Sequence, residues 1–535
     1  MSTWNVWSVS VVIIALAIIS PVLAIFHSAF LGDTSLWPHL FSTVLPRYVI
    51  NTLVLMLGVG ILSLIFGITT AWVVTKYNFP GKNIFEWALL LPAAIPAYII
   101  AYTYTDFFEY AGPFQEILRN FFGWKTAADY WFPNIRSMEG AILVMSAVLY
   151  PYVYLMTRAS FLTLPISFFQ TSAIYGRNPF YFVALPLARP GIVAGLALVL
   201  METISDFGTV DYFALETLSL GVFNVWLGMN SLSGAAQISS VLFIFVVVLL
   251  TVEYLARRNQ RYHEKSSGQD NLIPEEMSFP NKIVCFLVCM IPLTLGFIIP
   301  VSILLKFVFS GLSVIDFNAI FQTTFYSISL ATLGALIVMI VSFLMMLVSN
   351  YKSNSFQKIL IFLSSCGYAF PGTILAVGIV VFVGWLNELI YFHLSYTVGG
   401  LLVLLFAYTT RFLAVGNGAL KSGFQRIHPN ILEASKTMGI KFSTSLRKLI
   451  VPLIFTNILV GGILVFVDIL KELPITLLLR PFNFETLATY VYQYASDEML
   501  KESSFAAIII IFAGLGPVIY LNSTIKKISQ KKQSI

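Results

Sequence analysis

Residues 170–186 read QTSAIYGRNPFYFVALP, and residues 433–452 read EASKTMGIKFSTSLRKLIVP. At an offset of 263 residues (433 minus 170), Gln170-Thr171-Ser172-Ala173 with Gly176 lies over Glu433-Ala434-Ser435-Lys436 with Gly439. Leu185-Pro186 then meets Val451-Pro452 at an offset of 266 (452 minus 186). The same offset sets Glu202 on Asp468 and Asp206 on Glu472, and further on Glu216-Thr217-Leu218-Ser219 matches Glu485-Thr486-Leu487-Ala488. One design is used twice along the chain.

The composition says what kind of design. Hydrophobic residues make up 58% of the 535 positions and charged residues 10%, with a mean hydropathy of +0.86. Soluble domains carry about 25% charged residues, and a disordered chain needs low hydrophobicity, so both classes are excluded. A spanning helix needs about 20 apolar residues. Such runs fall near 8–30, 50–75, 84–104, 138–160, 190–210 and 236–256, and again near 282–309, 322–350, 359–386, 397–415, 454–472 and 503–524. The expectation is an all-α polytopic membrane protein of about twelve transmembrane helices in two tandem six-helix halves. The halves are 1–256 and 282–535, joined by a cytoplasmic linker at 257–281. The first run reads as a span, not a cleavable signal, because no Lys or Arg precedes it.

The net charge of +6 belongs to orientation. With the N-terminus inside, 23 of the 31 Lys and Arg fall on the cytoplasmic side and 8 opposite. That bias places both termini in the cytoplasm and removes nucleic acid as the partner. The partner it predicts is the lipid bilayer. Six spans return the chain to its starting side, so the halves are parallel repeats with a pathway expected at their interface. Cys285, Cys289 and Cys366 sit in apolar runs and form no disulfide framework. The five histidines have no metal-ligand spacing, and no metal site is assigned.

Both quoted stretches fall on the cytoplasmic side. A short amphipathic helix, a glycine, a basic stretch (Lys441, Arg447, Lys448) and a helix bounded by Pro452 suit the docking of another protein. An ordinary positively charged loop would look similar. The pattern Glu433-Ala434-Ser435-x-x-x-Gly439, however, resembles the EAA loop of membrane subunits of binding-protein-dependent ABC importers. Gly195–Glu202, Asp206–Phe213, Lys471-Glu472-Leu473-Pro474, Leu477–Phe484 and Tyr494–Glu498 are similar to the fused, two-half permeases of ferric-iron importers.

That resemblance implies a type I ABC importer permease fold, with EAA loops at about 165–188 (degenerate) and 431–453. It implies coupling to an ABC ATPase dimer through Glu433, Ala434, Ser435 and Gly439, and through Gln170, Thr171, Ser172 and Gly176. It also implies a periplasmic substrate-binding protein and a location in the bacterial inner membrane. The first loop departs from the family's pattern: Gln170-Thr171 replaces Glu-Ala, and Gly176 to Pro186 is three residues shorter than Gly439 to Pro452. A shortened or tilted first coupling helix is expected.

No Gly-x-x-x-x-Gly-Lys-Ser/Thr loop occurs, so the chain is expected to be a transport subunit and not an enzyme. It would carry no cofactor of its own, with ATP and Mg2+ in the partner ATPase. Glu202 with Asp206, and Asp468 with Glu472, are four apart and share helix faces. Acids are costly in lipid and should face the bundle interior or water, as candidates for the translocation path. Lys471, beside Glu472 and three after Asp468, offers the alternative of local ion pairing, and Gly208 and Pro474 would break each helix just beyond the acids. The extramembrane segments 105–137, 211–235 and 475–502 are candidates to receive the binding protein. Rival readings are a permease for thiamine or another small solute such as a phosphonate, and a proton-driven secondary transporter.

Overall fold

The computed structural model describes the backbone of residues 6–31, 35–162, 164–258, 275–351, 354–390 and 396–533, apart from 426, 428–430, 432, 433 and 436. Within the helices, the side chains of residues 6, 254, 256–258, 389–398 and 517 onward lie outside the description. Most of the described residues are helical. Among the described residues, strand pairing is limited to Tyr77–Asn78 beside Glu275–Glu276. Most of the expected linker, 259–274, lies outside the described residues.

Nine described helices are long and apolar enough to cross a membrane: Trp7–Leu31, Leu45–Lys76, Met138–Phe161, Phe180–Ser205, Leu232–Glu253, Phe279–Gly311, Phe317–Tyr351, Gly399–Phe424 and Phe442–Leu470. Two of the expected runs are broken at proline. The run at 84–104 is Lys82–Ala94 and Ala97–Phe122 with a bend of 91° between them, because Pro96 supplies no N–H and excludes the preceding residue from helix. The run at 359–386 breaks at Phe370-Pro371 into Ser355–Ser364 and Gly372–Ile390. The last expected run lies in Leu500–Gln533, of which side chains are described only to residue 516.

The chain forms two compact units that do not follow its linear order: Met1–His39, Val222–Val241 and Phe317–Tyr490 in one, and Leu40–Gly221, Leu242–Asp316 and Val491–Ile535 in the other. In the first unit, Phe317–Tyr351, Tyr396–Phe424 and Val451–Leu470 pack together. Val6–Leu31 lies on Ser355–Ser364 and Gly372–Ile390, where Gly378 leaves room for the Pro21 carbonyl. Asn354 caps its helix reciprocally with Gln357 (2.8 and 3.1 Å), an Asn-x-x-Gln start legible in sequence.

In the second unit, Leu45–Lys76, Met138–Phe161 and Leu185–Ser205 make the corresponding triad. Gly191 and Gly195 of the last helix meet the backbone of Met156, Tyr152 and Val153 so closely that a Cβ would lie within 3.0 Å of it. Small residues four apart let helix backbones approach where lipid offers no hydrophobic drive. Ile299–Gly311 packs on Leu500–Gln533 in the same unit.

Candidate functional site

Both quoted stretches fold as a helix closed by a left-handed glycine. Gln170, Thr171 and Ser172 lie on Ile166–Ile174. Gly176 follows at φ +63°, and the Arg177 N–H donates to the Ser172 carbonyl (3.0 Å). In the second stretch Ala434 and Ser435 are helical, Gly439 stands at φ +70° and the Ile440 N–H donates to the Ser435 carbonyl (3.1 Å). Glu433 lies outside the described residues. A Cβ on either glycine would meet nothing within 4 Å. The glycines are therefore required by their dihedrals and not by a close neighbour.

The three-residue difference falls after the turn. The long helix that follows is Phe180–Ser205, 26 residues, in one case and Phe442–Leu470, 29 residues, in the other. The Ile166–Ile174 helix itself keeps 9 residues. Ile174, Tyr175 and Met438 beside the glycines are 83%, 75% and 75% exposed.

The candidate acids divide by partner. Asp206 accepts from the N–H groups of Thr209 (2.9 Å) and Val210 (3.3 Å) and from Thr209 Oγ1 (3.1 Å). It thereby starts the short helix Gly208–Tyr212. Glu472 starts Pro474–Leu479 in the same way, accepting from the Ile475 N–H (3.2 Å). The long helices end at Ser205 and Leu470 and the short ones begin at Gly208 and Pro474, so the breaks fall at Asp206 and Glu472 and not just beyond them. Lys471 pairs with Asp468 at 3.1 Å, as the local alternative required. Glu202 is half-buried.

Three arrangements were not foreseen. Arg411, buried in the Tyr396–Phe424 helix, faces Glu472 at 3.5 Å, and a Cβ on Gly372 would come within 2.6 Å of its Nη1. The signal was a lone arginine in the 397–415 apolar run, which demands a partner. Arg158 pairs with Glu86 at 3.3 Å. Arg136 holds Glu109 (2.8 Å) and Glu498 (3.3 Å) and lies over the Tyr212 ring at 5.0 Å. The Glu-Thr-Leu repeats share an anchor: the Leu218 N–H donates to Thr52 Oγ1 (3.0 Å), and the Leu487 N–H to Ser327 Oγ (2.7 Å).

Segment 105–137 is ordered by its own contacts. The N–H groups of Thr126 and Lys125 bind the Asp129 carboxylate and hold it below its ordinary range. A cavity of about 340 Å³ opens among Phe108, Gln115, Tyr130 and Phe132.

Spanning helices, broken spans and two glycine-closed turns make this a polytopic integral-membrane protein. Residues 346–525 match the family model of the binding-protein-dependent transport system inner membrane component. Over 522 residues, 96% of either chain, it is 24% identical to the Fe(3+)-transport system permease protein FbpB 2 of Haemophilus influenzae. It is 27% identical over 224 residues to the molybdenum transport system permease protein ModB of the same organism, covering 39% of this chain and 91% of that one. It is also 27% identical over 271 residues to the sulfate transport system permease protein CysT of Synechococcus elongatus, covering 49% and 94%.

Proposed function

We propose that the chain is the membrane permease of an ATP-driven importer that moves ferric iron, delivered by a periplasmic binding protein, into the cytoplasm by alternating access. The observation that carries the cargo is the full-length similarity to a ferric permease: it spans both repeats, whereas the molybdenum and sulfate permeases match 39% and 49% of the chain. The positive-inside count supports placement in a bacterial inner membrane with both termini cytoplasmic.

An ABC ATPase dimer, carrying ATP and Mg2+, would dock at Gln170–Phe182 and Glu433–Lys448. The exposed apolar residues Ile174, Tyr175 and Met438 support that docking, since a helix end that keeps them in water gains by burying them. The glycine turns would fix each helix against the spanning helix that carries the stroke. Gln170 lacks the charge that Glu433 would bring, so substitutions at Glu433 should loosen the ATPase more than those at Gln170. Asp206, Asp468, Lys471 and Glu472 act as positioning residues that hold the breaks after the long helices, and Glu202 is the candidate for lining the path.

The test is uptake into proteoliposomes containing the permease, the ATPase and the binding protein. Labelled ferric iron should enter with ATP, while molybdate, sulfate, thiamine and phosphonate should not. Import of one of the others in place of iron would overturn the cargo.

A further inference from the structure

A set of phenols and one carboxylate in the second compact unit has no part in the roles above. Tyr98 and Tyr102, one helical turn apart on Ala97–Phe108, are both buried, with ring centroids 5.8 Å apart. Tyr102 also meets Tyr212 edge-on at 4.4 Å. Tyr98, Asp211, Tyr212 and Tyr492 are the titratable groups close enough to act on the Tyr102 hydroxyl. Tyr492 donates its hydroxyl proton to Asp211, and Phe207, 1% exposed, closes over the Tyr492 ring at 5.8 Å. The Tyr102 residue is 2% exposed, and among the described residues its hydroxyl has no hydrogen-bond partner.

A buried hydroxyl without a partner is destabilising, and phenylalanine would fill the same space without that penalty. Retaining the oxygen there calls for a ligand. Two phenols and a carboxylate are hard oxygen donors that carry three negative charges once deprotonated. The nearby cation, Arg136, is already paired with Glu109 and Glu498. A set of this kind suits a hard trivalent ion.

We infer that Tyr102, Tyr492 and Asp211 form a transient ferric-ion site at the end of the helices where, under the proposed orientation, the binding protein delivers its cargo. This inference rests on the ferric reading. The ion binds as Fe3+ to two phenolate oxygens and the Asp211 carboxylate, and the two phenol protons leave to solvent. No electron is transferred. The three positive charges are met by three negative ones, so the ion enters a poorly hydrated region as a neutral assembly. Both phenol protons are displaced on binding, the Tyr492 one from its bond to Asp211, which makes capture easier at higher pH and release easier at lower pH.

The experiment titrates the purified full-length permease with ferric nitrilotriacetate and follows the visible phenolate-to-iron charge-transfer band. One saturable ferric ion per chain is expected. Tyr102→Phe and Tyr492→Phe should each weaken it by more than the ~10–100-fold typical of lost outer-shell partners, and together abolish the band. Because the Tyr102 hydroxyl is unpaired, Tyr102→Phe should leave the melting temperature unchanged or raised. That result separates a ligand from a packing residue.

No band in the parent chain, or a full band in the double variant, overturns the site. ATP-dependent uptake of radiolabelled iron in the assembled transporter keeps the two claims apart. Uptake without a band refutes the site and leaves the cargo standing; import of molybdate with no iron refutes both.

Discussion

Asp206 and Glu472 occupy matched positions and meet their surroundings differently. Each starts a short helix by accepting backbone N–H groups from residues three or four ahead. Among the described residues Asp206 has no ion-pair partner and relies on two amides and a hydroxyl of its own segment. Glu472 accepts one amide, and its charge is met by Arg411 from another helix. The duplicated position keeps the backbone task while the compensation of charge has diverged. A carboxylate fixed by local amides resembles an N-cap, whereas one fixed by a buried guanidinium ties two helices together.

The comparison can be broken most severely at Arg411. Arg411→Leu removes the cation beside a Glu472 that is 6% exposed. It should cost about 3–5 kcal/mol, the usual penalty for stripping one partner from a buried pair, read as a lower melting temperature in detergent. Adding Glu472→Gln should restore much of the loss, and no recovery would deny that the two act as a pair. Asp206→Ala should cost about 1–2 kcal/mol by orphaning the Thr209 and Val210 amides. Asp206→Asn, which keeps an acceptor, should cost less, so equal losses would mean that charge matters there after all.

Gly176→Ala and Gly439→Ala should each cost about 1–2 kcal/mol from backbone strain alone. The two values should agree because both sites are open around the missing Cβ. Lys471→Gln should be smallest, at about 0–1 kcal/mol, since its pair with Asp468 is partly exposed.

Much of this was legible in the chain. Apolar runs located the helices because lipid forces backbone hydrogen bonds inside each segment. The repeat located Gly176 and Gly439, since a left-handed helix end favours glycine. Gly208 and Pro474 signalled a break nearby but begin the helices that follow it, and the spacing of Lys471 announced its pair. Other features were not legible. Pro96 and Pro371 sit inside uniformly apolar sequence, where a hydropathy window averages across the bend. The assignment of Val6–Leu31 and Phe279–Gly311 to units built around distant parts of the chain depends on packing that no local pattern encodes. Arg411 and Glu472 are 61 residues apart (472 minus 411), and Tyr102 and Tyr492 are 390 apart (492 minus 102). Neither could be read as a neighbour before the helices were placed.

The central claim is that an ATP-hydrolysing partner grips this permease from inside the cell at both glycine-closed loops. It is tested most directly by single cysteines at Ile174 and Met438, both exposed, in a chain whose Cys285, Cys289 and Cys366 are replaced by serine. The account predicts that both cysteines cross-link to the ATPase subunit in inverted membrane vesicles. It also predicts that both resist a membrane-impermeant thiol reagent applied to intact spheroplasts. Labelling of either position from the outside, with no cross-link to the ATPase, would contradict it.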